Sequence, residues 1–133
     1  MRVETYIKEA EKEYKRYRQT KNGVYLAQAG EKLYGAFKVL MKEVLGLKGK
    51  IEYEKFRKEL YRFIYHLKQK DRHLRDLVVI AQTSTRYLHI YFNEGYFDTI
   101  DEYEDALQTA IETLKELLAY RDELKRLAKE MRK

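Results

Sequence analysis

The chain has no cysteine, no proline and no tryptophan among its 133 residues. Without cysteine there can be no disulfide, no thiolate metal site and no thiol nucleophile, and the framework logic of small secreted domains does not apply. The expected compartment is therefore the cytoplasm. Long apolar runs are missing as well. None approaches the ~20 residues that span a bilayer, and the first residues, M-R-V-E-T-Y-I-K-E, lack the apolar stretch of a signal peptide. No membrane partner is expected. The six glycines, at 23, 30, 35, 46, 49 and 95, form neither a dinucleotide fingerprint nor a phosphate loop.

Charge is abundant: 38% of the residues are Asp, Glu, Lys or Arg. Lys, Arg and Glu dominate, a balance that points to a heat-adapted protein with surface ion-pair networks, although the lack of proline removes the loop stiffening that often accompanies it. The net charge of +6 is uneven. Residues 1–50 hold 12 basic against 6 acidic side chains, 51–98 hold 9 against 7, and 99–133 hold 7 against 9. A basic surface attracts phosphates and so permits a nucleic-acid partner, without requiring one.

The length fits one domain, residues 1–133, large enough to bury roughly two thirds of the surface its unfolded form exposes. Five helical segments follow from apolar spacing and punctuation. Val3, Ile7, Ala10, Tyr14 and Tyr17 mark the first, with Asn22-Gly23 as its expected left-handed stop. The second runs from about Val24 to Leu45, before Gly46 and Gly49. Inside it Gly30 and Gly35, with Ala29 and Ala36, make a smooth patch where another helix can come close, since each interior glycine costs ~1 kcal/mol and implies a packing reason. Tyr53, Phe56, Leu60, Phe63 and Leu67 define the third, ending near Lys70. Asp71 caps a fourth, whose stripe includes Leu74, Val78, Ala81, Thr85, Leu88 and Tyr91 and which stops at Asn93-Glu94-Gly95. Thr99 with Glu102 reads as a capping box for the last. That helix either continues for about 33 residues, roughly 50 Å, or bends near Tyr120-Arg121. If straight, its apolar end projects past its neighbours and needs a partner, which suggests a homodimer. No strand pattern is present. The fold class is all-α, an up-and-down bundle of four to five helices with a long C-terminal helix.

On the fourth helix, Gln82, Arg86, His89 and Asn93 are spaced four, three and four apart, which makes one polar row beside the apolar stripe. A neutral imidazole can take a proton from a ribose 2'-hydroxyl while a guanidinium binds the phosphate and stabilises charge gathering on it. His89 and Arg86 could fill those catalytic roles without a metal, and the whole row could bind RNA or another ligand. The alternative is structural: Arg86 pairs with a carboxylate on an adjacent helix and His89 is a hydrogen-bonded residue at the core edge. Arg62 and His66, four apart on the third helix, form a second such pair. The histidines at 66, 73 and 89 lack the spacing of a helical metal clamp, so no metal and no cofactor is expected. Thirteen tyrosines are interleaved with basic residues, as in Tyr14-Lys15-Arg16-Tyr17-Arg18, a composition that can stack bases and hold phosphates. Period instead places Tyr6, Tyr14, Tyr17, Tyr53, Tyr91 and Tyr103 on apolar stripes at the core edge.

Two stretches resemble the HEPN superfamily of helical bundles, specifically its small archaeal members. Y-L-A-Q-A-G-E-K-L-Y-G-A-F-K-V-L from Tyr25 to Leu40 is similar to the family's second helix, A-x-E-K-x-W/Y-x-A. T-S-T-R-Y-L-H-I-Y-F-N-E-G-Y-F from Thr83 to Phe97 is similar to its late helix, L-H-x-x-F-Y-E-G. The resemblance implies a bundle that commonly dimerises. In ribonuclease members it implies an Arg and a His separated by four to six residues; here two residues separate Arg86 from His89, and three separate Arg62 from His66. Other members imply a nucleotidyltransferase-type protein partner in a toxin and antitoxin module. The leading expectation is a HEPN-like homodimer that binds RNA, a nucleotide or a protein partner through the Gln82 to Asn93 row. The alternative is a metal-independent endoribonuclease of toxin type using Arg86 and His89.

Overall fold

The computed structural model describes the backbone of residues 1–94 and 100–133 and the side chains of residues 1–91 and 100–133. The described residues form six helices and no strand: α1 (Val3–Thr20), α2 (Gly23–Leu45), α3 (Tyr53–Lys70), α4 (Arg72–Glu94), α5 (Ile100–Ala119) and α6 (Arg121–Met131). The helical bundle read from the apolar periodicity is thus present, with one more element than expected.

α2 is the axis of the bundle, packing against all five other helices. Its sequence explains that position. Leu26, Ala29, Leu33, Ala36, Phe37, Leu40, Met41, Val44 and Leu45 are buried across about half of the helix circumference, a face broad enough for several partners. α1 lies along it through Val3, Ile7, Ala10, Tyr14 and Tyr17, and α4 pairs with α5 on the other side.

The helix ends are set by local chemistry. Lys21, at φ 59°, adopts the left-handed conformation at the end of α1, and the side chain of Asn22 accepts a hydrogen bond from the Val24 amide. The expected left-handed stop at Asn22-Gly23 therefore falls one residue earlier, because Asn22 serves as the N-cap of α2. Gly46 and Gly49 take positive φ, as a helix stop and loop require. Asp71 Oδ1 accepts from the Leu74 amide at 3.1 Å and caps α4. Thr99 and Gly95, read as a cap and a stop, lie outside the described residues.

The smooth patch on α2 has two different occupants. A Cβ added at Gly30 would lie 2.1 Å from the Tyr103 hydroxyl oxygen of α5 and 3.1 Å from Leu88 Cβ of α4. At Gly35 the neighbour is the Tyr6 ring of α1, 2.8 Å away at its nearest carbon. The close approach of α4 at Gly30 is what lets the next residue of each helix, Glu31 and His89, meet.

The last apolar run is not one long helix. Tyr120, at φ −103° and ψ 15°, leaves helical geometry and separates α5 from α6. α6 then packs on α2 and α3, burying Leu124, Leu127 and Ala128. Arg121 holds the turn by reaching Glu4 on α1 at 3.1 Å and Glu43 on α2 at 3.5 Å, and Lys125 joins Glu43 at 2.9 Å. The stripe expected to project and recruit a second copy is covered from within, so it gives no argument for a homodimer. Burying a leucine stabilises by roughly 1.5–3 kcal/mol, more than the ~0–1 kcal/mol of a half-exposed ion pair. The two leucines thus hold α6, and the ion pairs set its direction.

Candidate functional site

The face made by α2, α3 and α4 brings together part of the expected polar row and several residues that the row did not include. Gln82 Nε2 donates to the Tyr61 hydroxyl on α3 at 3.1 Å. Arg86 is exposed and borders a cleft with Gln82, Tyr34, Lys38, Tyr53 and Arg57. No carboxylate lies within 4 Å of the Lys38, Arg57 or Arg86 cations among the described residues. The expected pairing of Arg86 with a carboxylate is therefore absent. His89 has taken that role, with Nδ1 3.0 Å from each carboxylate oxygen of Glu31. A carboxylate only accepts, so Nδ1 carries the hydrogen, and in the neutral ring the lone pair is on Nε2.

Tyr34 joins the two halves of the site. Its ring stacks on the His89 imidazole with centroids 4.0 Å apart and planes 13° from parallel, and the residue also lines the cleft with Arg86. Lys38 Nζ lies 4.7 Å from the same ring, a cation–π distance. Asn93, the last member of the row, has its side chain outside the described residues.

Two other expectations separate in space. His66 turns toward Glu130 of α6 at 3.6 Å and does not join Arg62 in a site. His73 faces Glu116 of α5 at 3.7 Å. The three histidines therefore meet three different carboxylates on three different helices, and no set of three metal-ligating side chains converges among the described residues.

The tyrosines divide sharply by environment. Tyr14, Tyr17 and Tyr103 are buried, and Tyr6 and Tyr91 are partly buried against the core. Arg18 lies over the Tyr14 ring and Lys21 over Tyr17, so the basic and aromatic cluster of α1 is occupied by its own cations. Tyr53, expected at the core edge, is 48% exposed and lines the rim of the cleft. It heads a row at four-residue spacing: Tyr53, Arg57, Tyr61, Tyr65. Tyr61 and Tyr65 are 42% and 67% exposed. The Arg57 guanidinium lies 5.4 Å from the centre of the Tyr61 ring. The signal for this row was in the sequence as Y-x-x-x-R-x-x-x-Y-x-x-x-Y, one residue off the apolar stripe.

Comparison with family models, with curated proteins and with solved structures finds no match for this chain.

Volume decides what the face can hold. The cleft below Arg86 has about 30 Å³ of open space, the share of one water molecule and far below the ~300–1,000 Å³ of a small-molecule pocket. The shelf beside it on α3, bordered by Glu54, Lys55, Arg57, Lys58 and Tyr61, is open and spans about 600 Å³, with three cations against one carboxylate. Such a surface suits a ligand laid across it better than one swallowed by it.

The phenols report the field. The hydrogen bond from Gln82 holds the Tyr61 hydroxyl below the usual tyrosine range, with burial opposing and the Arg57 and Arg86 cations assisting. Burial pushes Tyr14, Tyr17, Tyr34 and Tyr103 the other way. A lowered pKa means that the phenolate is favoured, so ultraviolet titration at rising pH is expected to ionise Tyr61 before these four. Gln82→Leu shifts that first phase upward and Tyr61→Phe removes it. An unchanged curve in both variants would contradict the geometry.

Proposed function

We propose that this chain is a HEPN-like helical protein that binds single-stranded RNA across the α2, α3 and α4 face. The carrying observation is the exposed row Tyr53, Arg57, Tyr61, Tyr65 beside the unpaired cations Lys38 and Arg86. Exposed rings offer platforms to unstacked bases, and cations between them track the phosphates. A duplex keeps its bases stacked on each other and cannot use the rings in this way. The shallow cleft favours a strand over a lone nucleotide, which would need a deeper pocket. Titration of a labelled single-stranded RNA oligonucleotide at several salt concentrations is expected to show saturable binding. With Lys38, Arg57 and Arg86 each neutralising one phosphate, log K should fall against log salt with a slope of about −2. No binding at low salt, or binding indifferent to salt, would sink the proposal.

A second reading, cleavage of RNA without a metal, is favoured by the Glu31 and His89 contact. Glu31 fixes the tautomer in which Nε2 can accept a proton from a 2'-hydroxyl, and Arg86, one turn earlier on the same helix, would stabilise charge on the phosphate. Under this reading, RNA incubated with excess chelator is cut by the wild type, while His89→Ala and Glu31→Gln each lose at least a hundredfold in rate. Equal rates in all three, or no cleavage by any, would leave binding as the remaining reading.

A further inference from the structure

On the side formed by α4 and α5, away from the α3 tyrosine row, the molecule carries a second surface of opposite character. A groove of about 520 Å³ runs between α4 and α5, from Tyr87 and Glu102 at one end to Val79 and Thr109 at the other. Eight residues of helix at 1.5 Å per residue give it a length of roughly 12 Å, enough for two turns of another helix. Ile80 forms part of its wall and is 43% exposed. The floor makes few polar demands: Ser84 turns its hydroxyl back to the Ile80 carbonyl at 2.8 Å.

None of the residues that line the groove is Lys or Arg, although the chain as a whole is at +6. Glu102 and Asp105 stand along its α5 edge. They belong to the most acidic helix of the molecule, which holds six carboxylates against Lys115 alone. Two of those carboxylates are engaged elsewhere, Glu104 by the Tyr14 hydroxyl and Glu116 by His73. Asp105 has no cationic partner among the described residues. An apolar floor with an acidic edge selects an occupant with an apolar stripe and a basic margin. Two copies meeting groove to groove would instead bring like charges together with no Lys or Arg of the groove between them, which costs affinity.

We infer that the α4 and α5 groove is the docking surface for a basic amphipathic helix of another protein. The partner helix lays apolar side chains from two successive turns against Ile80 and Ala106, and a flanking Lys or Arg side chain reaches Asp105. This inference uses neither the tyrosine row nor His89 and stands apart from the RNA reading.

The probe is a synthetic helical peptide of about four turns, with Leu on one face and Lys on the other, titrated into the full chain by calorimetry. A scrambled peptide of the same composition is the control. The expected result is saturable one-to-one binding of the patterned peptide, at least tenfold tighter than the scramble. Ile80→Ser and Asp105→Lys, both at exposed positions, each weaken it at least tenfold with the helical circular dichroism of the protein unchanged. Equal affinity for the two peptides, or an affinity that neither substitution moves, overturns the inference. So does a doubled mass in solution that Ile80→Ser returns to that of one chain, because the occupant would then be a second copy.

Discussion

Gly30→Ala is expected to destabilise the protein by about 3 kcal/mol, against a typical range of ~1–3 kcal/mol for overpacking a core. The added methyl would have to share space with the Tyr103 hydroxyl, 2.1 Å away. Tyr103 cannot yield easily: it is fully buried, and its hydroxyl donates to the Leu88 carbonyl at 3.2 Å. Moving the ring forfeits that hydrogen bond, worth ~1 kcal/mol, and the second close neighbour, Leu88 Cβ, blocks the other direction. Only the improved helix propensity of alanine, ~1 kcal/mol, works in its favour. Gly35→Ala is the matched control. Its obstacle is the edge of the partly exposed Tyr6 ring at 2.8 Å, which can swing outward, so the propensity gain offsets most of the strain. Urea unfolding midpoints should separate the two variants clearly, and a Gly30→Ala protein as stable as the wild type would refute the packing described. The substitution also bears on function, because it pushes α4 from α2 at the point where Glu31 meets His89.

Replacing Tyr53, Tyr61 and Tyr65 together by alanine is expected to lower affinity for single-stranded RNA roughly a hundredfold or more. Base stacking on an aromatic side chain is worth about 1–3 kcal/mol per base, so three lost platforms at the low end cost ~3 kcal/mol, and each 1.4 kcal/mol is a factor of ten. All three rings are more than 40% exposed, so the variant should unfold within ~0.5 kcal/mol per site of the wild type. Phenylalanine at the same positions keeps the stacking surface and should keep most of the affinity. Tyr17→Phe, in the buried cluster of α1, should change nothing. Loss of binding in the phenylalanine variant, or none in the alanine variant, would show that the rings are not platforms.

What the sequence disclosed depended on whether the deciding interaction was local. Apolar spacing and caps are local, and helix ends such as Asp71 before α4 and Gly46 after α2 could be read directly. The break at Tyr120 was legible only as one of two options, because what settles it is Arg121 meeting Glu4 and Glu43, both remote in sequence. The polar row followed from spacing on one helix, and Gln82 and Arg86 of that row border one cleft. That spacing could not supply Glu31 and Tyr34, which the neighbouring helix α2 presents to the same face. Tyr53 was misassigned for a geometric reason. Positions 53, 56 and 60 share a helical face, but only Phe56 and Leu60 are buried, while Tyr53 lies at the rim beside Arg57 and Arg86.

The clasp at Arg121 also bears on the order in which the molecule comes together. Glu4 and Arg121 are 117 residues apart, whereas the α1 with α2 and α4 with α5 pairs close over short connections. Chain entropy makes such a distant closure one of the last to form. Interactions completed after the folding barrier govern the rate of unfolding and leave the rate of folding nearly untouched. The small final helix, held by two leucines and a few charges, is thereby expected to act on how long the folded molecule lasts rather than on how fast it is reached.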